Sequence, residues 1–254
     1  MAAEADLAVR LGAAGLDWIV PEWPAPMRIQ AFSTTRNGPG GTPIDFARKH
    51  ESVGAARALL RRFAPAEPLW LAQVHGAAVA CADVAHADAP AADAAVARVA
   101  GCVCAVLTAD CLPVLLADQA GTVVAAAHAG WRGLAAGVLE ATVESMQVRR
   151  SDVLAWLGPA IGPRAFEVGG DVHAAFCERD AAAAACFIAI REGKWRADLD
   201  ALARRALGRA GVDGAAIHGG GRCTFDEPDA FYSYRRGGAD RAARMATLIW
   251  LAPG

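Results

Sequence analysis

Several features are scarce or missing in this 254-residue sequence, and their absence excludes whole classes of protein. No apolar run approaches the roughly 18 residues of a membrane-spanning helix, so no membrane partner is expected. No run of Lys and Arg is longer than two, and the formal net charge is −2. A nucleic-acid partner is therefore not expected either. No secretion signal is evident at the N-terminus, which predicts a cytoplasmic protein with reduced thiols.

The short spacings that usually reveal metal sites are also missing. The seven Cys include no Cys-x-x-Cys pair, and the six His include no His-x-His pair and no His-Glu-x-x-His motif. The His-x-Glu and Pro-Cys-x-x-Cys pattern of cytidine-type deaminases is absent. Four-copper laccases need many His ligands, several of them in His-x-His pairs, so copper oxidation of phenols is not expected.

What remains is a globular composition, with 55% hydrophobic and 20% charged residues, which predicts one domain over residues 1–254. Apolar periodicity predicts helices at 4–15, 50–63, 131–147, 170–179 and 198–210. Strands are predicted at 18–20, 29–32, 69–75, 78–82, 102–107, 113–117, 122–127, 153–157 and 215–217, with a helix or strand at 240–250. Because the strands come in clusters, the α+β class is favoured over a repeating βαβ order.

Three potential metal ligands stand out by their neighbours. His75 lies in QVHG, Cys111 in TADCLP and His128 in HAGWRG, and each is predicted at the end of a strand. Two imidazoles and a thiolate suit Zn²⁺ and leave a fourth position for water. Since the ligands are 36 and 17 residues apart in sequence, spacing alone leaves open that they are turn residues and a small buried Cys.

Several motifs together resemble a known family. QVHG, TADCLPVLL, AHAGWRGLAAG, WLGPAIGP, FEVGGDV, KWRADL and FYSYRR follow in order between about residues 31 and 251. They are similar to the laccase-domain, or "polyphenol oxidase", family, which includes a peptidoglycan editing factor and purine nucleoside phosphorylases that also deaminate adenosine. The resemblance implies that His75, Cys111 and His128 bind Zn²⁺, with copper as the alternative ion. It also implies a compact α/β domain with two mixed sheets flanked by helices, similar to a cysteine-deamidating toxin.

The resemblance weakens near the N-terminus. The segment FSTTRNGPGG keeps Ser33 and Arg36, but the following IDFARKHESVG lacks the family's Asn-Leu-Gly pattern. The role of the 36–54 loop in substrate binding is therefore left open.

The resemblance implies a zinc-dependent purine nucleoside enzyme. Its partners would be phosphate and adenosine, inosine or methylthioadenosine, and adenosine deamination would be a side activity. Arg36, Arg132 and Arg235 are predicted to bind substrate anions, because a guanidinium holds two phosphate oxygens at once; surface or structural ion pairs are the alternative. Asp110 is the first candidate for acid/base catalysis, and Glu167 is a weaker one. The alternative for Asp110 is to cap a turn or to orient a ligand.

Two other functions stay open beside this one. The first is an amidase that removes L-Ser from the cell-wall precursor UDP-MurNAc-L-Ser, either with a metal-activated water or with Cys111 as a thiolate nucleophile. Ligation and attack compete for the same sulfur, so both are not expected at once. The second is a non-catalytic metal-binding protein, which the open fourth coordination position argues against.

Overall fold

The computed structural model describes residues 6–47 and 53–253. Within those ranges the helices are short, and most lie in the second half of the chain: α1 (Leu7–Ala13), α2 (Val53–Leu60), α3 (Trp131–Ala136), α4 (Val138–Met146), α5 (Gly170–Cys177) and α6 (Leu199–Arg209). None of these described helices has the length and apolar character needed to cross a membrane. The first two helices were predicted to include residues 4–5 and 50–52, which lie outside the described residues.

The described strands are also short: β1 (Ile29–Ser33), β2 (Val79–Cys81), β3 (Ala94–Ala97), β4 (Val103–Thr108), β5 (Leu112–Asp118), β6 (Val124–Ala129), β7 (Val153–Leu157), β8 (Glu167–Gly169), β9 (Phe187–Arg191), β10 (Lys194–Ala197), β11 (Ile217–Gly219) and β12 (Met245–Leu251). They form a six-stranded sheet with the order β11-β7-β5-β6-β3-β2 and two three-stranded sheets, β1-β12-β4 and β8-β10-β9. In the six-stranded sheet, β11 runs parallel to β7 and β2 parallel to β3, while the other pairs are antiparallel.

The six-stranded sheet and the β1-β12-β4 sheet lie face to face, with helices on their outer faces. Val114 and Leu116 of β5 belong to the core beneath α3 to α6, whereas Leu115 and Ala117 belong to the core shared with the β1-β12-β4 sheet. This division follows from the alternation of side chains along a strand. Burying each such Leu side chain contributes about 1.5–3 kcal/mol. Helices α1 and α2 cover the far face of the β1-β12-β4 sheet.

The α+β class and the flanking helices are confirmed. The strands are distributed over three sheets, and only the six-stranded one is mixed. The single helix predicted over 131–147 is two helices, because Gly137 has φ 95° and ends α3. The strand predicted over 69–75 is reduced to one bridge between Leu69 and Cys104. There the Gln73 side-chain amide hydrogen-bonds both backbone groups of Leu107, at 2.8 Å each, and replaces a strand ladder.

Candidate metal centre

His75 lies in a tight turn on the surface. Its backbone φ of 61° is in the left-handed region, which costs a residue other than glycine of order 1–3 kcal/mol. The turn is held by one carboxylate, because the backbone N–H groups of Val74, His75 and Gly76 all donate to Asp93, at 3.2, 2.9 and 2.7 Å. The imidazole of His75 is exposed and is therefore accessible to a metal ion.

Cys111 directly precedes β5 and is positioned through its neighbour Asp110. The φ of Asp110 is 85°, and its oxygens accept hydrogen bonds from three other segments. The Ile161 N–H donates to the Asp110 carbonyl at 2.9 Å. The Thr224 hydroxyl donates to Oδ1 and the Arg235 N–H to Oδ2, both at 2.6 Å. Through Asp110, the loops after β7 and β11 are hydrogen-bonded to the segment that carries Cys111.

His128 reaches the same place through strand pairing. It lies in β6 opposite Pro113 of β5, so the antiparallel pair brings it beside Cys111. The residue is 3% exposed, and its Nδ1 is 2.9 Å from Asp93 Oδ1. A carboxylate only accepts hydrogen bonds, so in neutral His128 the hydrogen is on Nδ1 and the Nε2 lone pair is left for a metal.

The three predicted ligands converge in space. Their ligand atoms all lie within 4.8 Å of one another. The Cys111 Sγ is 3.9 Å from the His75 Nε2, and the His75 and His128 ring centroids are 4.8 Å apart. Over residues 6–47 and 53–253, this is the one group of three or more His, Cys, Asp or Glu side chains with such spacing.

The donor set fits a zinc ion. With Zn–N and Zn–S bonds of about 2.0–2.3 Å, the ligand atoms of a tetrahedral site stand roughly 3.5 Å apart. The observed separations of up to 4.8 Å need to close by only about 1 Å, and the exposed His75 is free to make that adjustment. Three protein ligands leave one coordination position open on the surface side, as in catalytic rather than structural zinc sites.

Charge favours the form of Cys111 that binds metal. Burial opposes ionisation of the thiol, but the charge of His128 and hydrogen bonds from His128 and His75 outweigh it, so that the pKa of Cys111 falls to about 6. Burial likewise opposes the imidazolium form of His128, but the charge of Cys111 and the hydrogen bond to Asp93 raise its pKa to about 9. Without a metal the two residues therefore form a thiolate–imidazolium pair.

Asp93 is the residue of this site that the sequence analysis missed. Its side chain is fully buried just before β3. Burial alone would raise the pKa of the carboxyl, but hydrogen bonds from His128 and Gly76 outweigh it and hold the pKa below its usual value. A signal was present, because Asp93 is the one charged residue in the run AADAAVA, and a carboxylate within an apolar strand is rarely buried without a partner.

Two glycines of the HAGWRG motif let α3 approach the ligands. A β-carbon at Gly130 would lie 2.9 Å from the Cys111 Sγ, and one at Gly133 would lie 2.8 Å from the Gly76 carbonyl oxygen. Both separations are too short for a side chain. The motif therefore packs the beginning of α3 against Cys111 and against the turn that carries His75.

Two of the three predicted anion-binding arginines are exposed on elements that support the site. Arg132 lies in α3, two residues after Gly130; its guanidinium lies 4.4 Å over the Trp131 ring and makes no hydrogen bond to the described residues. Arg235 has its N–H on Asp110 and donates one guanidinium hydrogen to the Glu167 carbonyl at 2.9 Å. Both keep donors free for a substrate anion.

The third arginine, Arg36, contacts a segment that carries none of the predicted metal ligands. Its guanidinium donates to the Pro228 carbonyl at 2.9 Å and lies 4.6 Å over the Tyr232 ring. These contacts anchor the 36–47 segment to the 228–232 segment rather than to a metal ligand. The side chain of Glu167, the weaker acid/base candidate, pairs with Arg191 at 2.6 Å.

The fold and this cluster define a class: an α+β protein with a candidate three-ligand metal centre where β5 begins and β6 ends. A sequence-family model described as multi-copper polyphenol oxidoreductase laccase matches residues 44–252. The chain belongs to this family, which confirms the resemblance. The multi-copper part of the description has no counterpart in the part of the chain that the structure describes, where the only cluster of potential ligands has three members.

Individual proteins are similar to this chain in sequence and in structure. The chain is 48% identical over 243 residues to a purine nucleoside phosphorylase of Pseudomonas aeruginosa and 47% identical over 243 residues to purine nucleoside phosphorylase YfiH of Escherichia coli; both alignments cover 92% of this chain and 98% of the relative. Among solved structures, Neisseria meningitidis protein NMB0706 is 45% identical, with a TM-score of 0.88 over 93% of this chain and all of that one. YlmD from Geobacillus stearothermophilus is 26% identical, with a TM-score of 0.82 over 93% of this chain and 96% of that one.

Proposed function

We propose that this chain is a zinc-dependent purine nucleoside phosphorylase with adenosine deaminase activity as a side reaction. The observation that carries the proposal is the convergence of His75, Cys111 and His128 within 4.8 Å. It occurs in a chain 47–48% identical to proteins named purine nucleoside phosphorylases over nearly their whole length. Adenosine, inosine or methylthioadenosine would react with phosphate to give the free base and ribose 1-phosphate.

The three ligands would hold Zn²⁺, with copper as the alternative ion because imidazole and thiolate suit both. A bound Zn²⁺ supplies Lewis acidity at a coordination position that is open to substrate. The protein itself supplies the orientation of the ligands: Asp93 holds the His128 ring at 2.9 Å, and Gly130 leaves the space in which Cys111 and His75 meet.

Phosphate binding falls to the arginines. In phosphorolysis a phosphate oxygen bonds to C1′ of the ribose, the bond from C1′ to the purine nitrogen breaks, and the base leaves with a proton. Arg132 is proposed as the main phosphate-binding residue because its guanidinium is exposed, and none of its five N–H donors is bonded to a described residue. Arg235 is proposed as a second anion-binding residue. The anion-binding role of Arg36 stays a prediction, and the contacts of its guanidinium with Pro228 and Tyr232 favour the structural alternative.

The part played by Asp110 follows from its hydrogen bonds. Both carboxylate oxygens are occupied at 2.6 Å, by Thr224 and by the Arg235 N–H. A proton delivered to this carboxylate would displace one of those donors, so the contacts favour the alternative in which Asp110 orients the loops around Cys111. Acid/base catalysis by Asp110 stays a prediction. If Asp110 is an acid/base catalyst, Asp110→Asn should remove one limb of the pH–rate profile. If Asp110 only orients the loops, the same substitution should lower the rate equally at every pH.

The experiment that tests the main proposal is incubation of the zinc-loaded protein with inosine, with and without phosphate. Release of hypoxanthine that depends on phosphate and is lost in Cys111→Ser is the expected result. Absence of base release from inosine, adenosine and methylthioadenosine by protein with a full complement of zinc would refute it. Ammonia release from adenosine measures the proposed deaminase activity in the same assay.

A second candidate function is favoured by the thiolate–imidazolium pair of Cys111 and His128, which is the arrangement of cysteine hydrolases. In that case the chain would be an amidase that releases L-Ser from UDP-MurNAc-L-Ser. The two mechanisms respond oppositely to metal, because a zinc ion occupies the sulfur that a nucleophile needs free. Serine release that increases on chelation would support the cysteine amidase, whereas phosphorolysis that requires zinc would support the main proposal.

A further inference from the structure

We propose that Asp93 is a positioning residue that holds two predicted metal ligands, His75 and His128, in place relative to each other. Its negative charge would also make the site favour a divalent ion. This inference rests on the metal-binding part of the proposed function. Asp93 is not itself a ligand candidate, because its carboxylate is fully buried and points to backbone N–H groups and to the His128 ring.

The hydrogen bonds to Asp93 fill its acceptor capacity. Oδ1 accepts from the His128 Nδ1 and from the His75 N–H, both at 2.9 Å. Oδ2 accepts from the N–H groups of Gly76 at 2.7 Å and Val74 at 3.2 Å. A carboxylate offers about four lone pairs, and here all four are used. One side chain therefore contacts the ring of one predicted ligand and the backbone of another.

These bonds fix what each ligand presents. In neutral His128 the Nδ1 hydrogen points to Asp93, so Nε2 is the nitrogen directed at the metal position. At His75 the three N–H bonds stabilise a turn with φ 61°, a conformation that residues other than glycine adopt uncommonly. Loss of the carboxylate would free the His128 ring to adopt the other tautomer and would release the turn, and both changes would move ligand atoms.

Charge supplies the second part of the argument. The candidate centre combines two negative groups, the Cys111 thiolate and the Asp93 carboxylate, with two neutral imidazoles. A divalent cation brings this set to neutrality, whereas a monovalent cation leaves one uncompensated negative charge. Because Asp93 is wholly buried, water screens the difference poorly. The site should therefore favour Zn²⁺ over Cu⁺ by more than its ligand atoms alone would.

The chain offers a matched control for the test. Asp118 is also buried, at 3% exposure, and also holds a turn, accepting from the Thr122 N–H and hydroxyl and from the Val123 N–H at 2.6 to 2.9 Å. It lies at the opposite end of β5 from Cys111. Asp118→Asn therefore removes a comparable buried carboxylate without touching the metal ligands.

The experiment compares the wild type, Asp93→Asn and Asp118→Asn by chelator competition for Zn²⁺ and Cu⁺ and by the absorption spectrum of the Co²⁺-substituted protein. In Asp93→Asn the amide NH₂ would face backbone N–H groups, and because it is itself a donor it cannot accept hydrogen bonds from them. We expect its Zn²⁺ affinity to fall about 10- to 100-fold, its Cu⁺ affinity to fall less, and its Co²⁺ spectrum to change. Asp118→Asn should keep wild-type affinity and spectrum even where its melting temperature falls.

Two results would overturn the proposal. If Asp93→Asn melts lower but keeps the wild-type Zn²⁺ affinity and Co²⁺ spectrum, Asp93 is a turn anchor only. An equal loss of affinity for Zn²⁺ and Cu⁺ would overturn the charge argument. Should Asp93→Asn fail to fold, long-range ¹H–¹⁵N NMR of the zinc-loaded wild type decides: His128 protonated on Nδ1 supports the proposal, and protonation on Nε2 refutes it. None of these measurements uses turnover, so a failure of phosphorolysis would leave them unaffected.

Discussion

Gly130 lies directly against Cys111 and His75. A β-carbon at Gly130 would be 2.9 Å from the Cys111 Sγ and 3.1 Å from the His75 Cδ2. The backbone of Gly130, with φ −63° and ψ 156°, is one that any residue adopts. Contact with two predicted ligands, rather than backbone conformation, is therefore what requires glycine at this position.

We expect Gly130→Ala to displace these two ligands and to lower Zn²⁺ affinity about tenfold or more, measured by chelator competition. The matched control is Gly208→Ala in α6, where a β-carbon meets nothing within 4 Å. That substitution should leave zinc affinity unchanged and stabilise the helix by about 0.5–1 kcal/mol. Wild-type zinc affinity in Gly130→Ala would show that the contact with Cys111 is not a constraint on the site.

Removal of a ligand should empty the site without unfolding the chain. We expect about one zinc per wild-type chain and its loss in His75→Ala, Cys111→Ser and His128→Ala, since each variant leaves only two protein ligands. Elemental analysis beside circular dichroism measures both properties. Cys177→Ser is the control, because the Cys177 Sγ lies 3.5 Å from the His173 Nε2 but no third potential ligand joins them among the described residues. Zinc retained by any of the three variants would contradict the assignment.

Cysteine reactivity should separate Cys111 from Cys177. The pKa of Cys111 is lowered to about 6, whereas burial and the charge of Asp180 raise the pKa of Cys177. In metal-free protein at pH 7, Cys111 is therefore mostly thiolate, and we expect iodoacetamide to modify it first, with a rate that falls as the pH drops through about 6. Peptide mass spectrometry measures the order of modification. Zinc should protect Cys111 alone, and equal modification of both thiols with and without zinc would refute this.

Arg132 and Arg36, both predicted from the sequence to bind anions, should differ in what their loss changes. For Arg132→Gln we expect the KM for phosphate to rise about tenfold with little loss of stability, because an exposed guanidinium contributes binding rather than packing. For Arg36→Gln we expect a loss of about 1–2 kcal/mol in the free energy of unfolding and an unchanged KM for phosphate, since its guanidinium is hydrogen-bonded to Pro228. Steady-state kinetics and urea unfolding separate the two effects, and the reverse pattern would exchange the roles.

Acid should weaken the contact between α6 and the segment after α5. Hydrogen bonds and charge from Arg205, with a further bond from Arg209, hold the pKa of Asp180 below its ordinary value of 3.8. A lowered pKa stabilises the folded state above pH 3.8, and this contribution is lost as the pH falls through the folded-state value. We expect Asp180→Asn to be less stable than the wild type at pH 7 and the difference to shrink in acid.

The sequence predicted the elements whose residues alternate or repeat clearly. The strands around Cys111 and His128 were placed to within two residues, because polar turns bound their apolar runs. The strand β3 was missed, since Ala94 to Ala97 are buried on both faces and such a run shows no alternation. With β3 unrecognised, the position of Asp93 next to His128 could not be inferred.

The predicted metal ligands and the residues that hold them in place differ in how much the sequence reveals. Cys111 and His128 stand at the ends of two strands that a hairpin pairs, so their proximity follows from local pattern. The approach of His75 depends on a left-handed turn and a buried carboxylate 18 residues away, which no periodicity encodes. The connections of Asp110 to Thr224 and Arg235 span 114 and 125 residues and depend on tertiary structure alone.

The pairing of β1 with β12 has a consequence for how the chain reaches this structure during synthesis. Ser33 of β1 lies beside Thr247 of β12, 214 residues later. At the usual elongation rates, β1 leaves the ribosome roughly 10–40 s before its partner strand. During that interval its edge is open to other nascent chains. The β1-β12-β4 sheet can therefore form only after β12 has been synthesised, so this sheet forms late however stable the finished protein is.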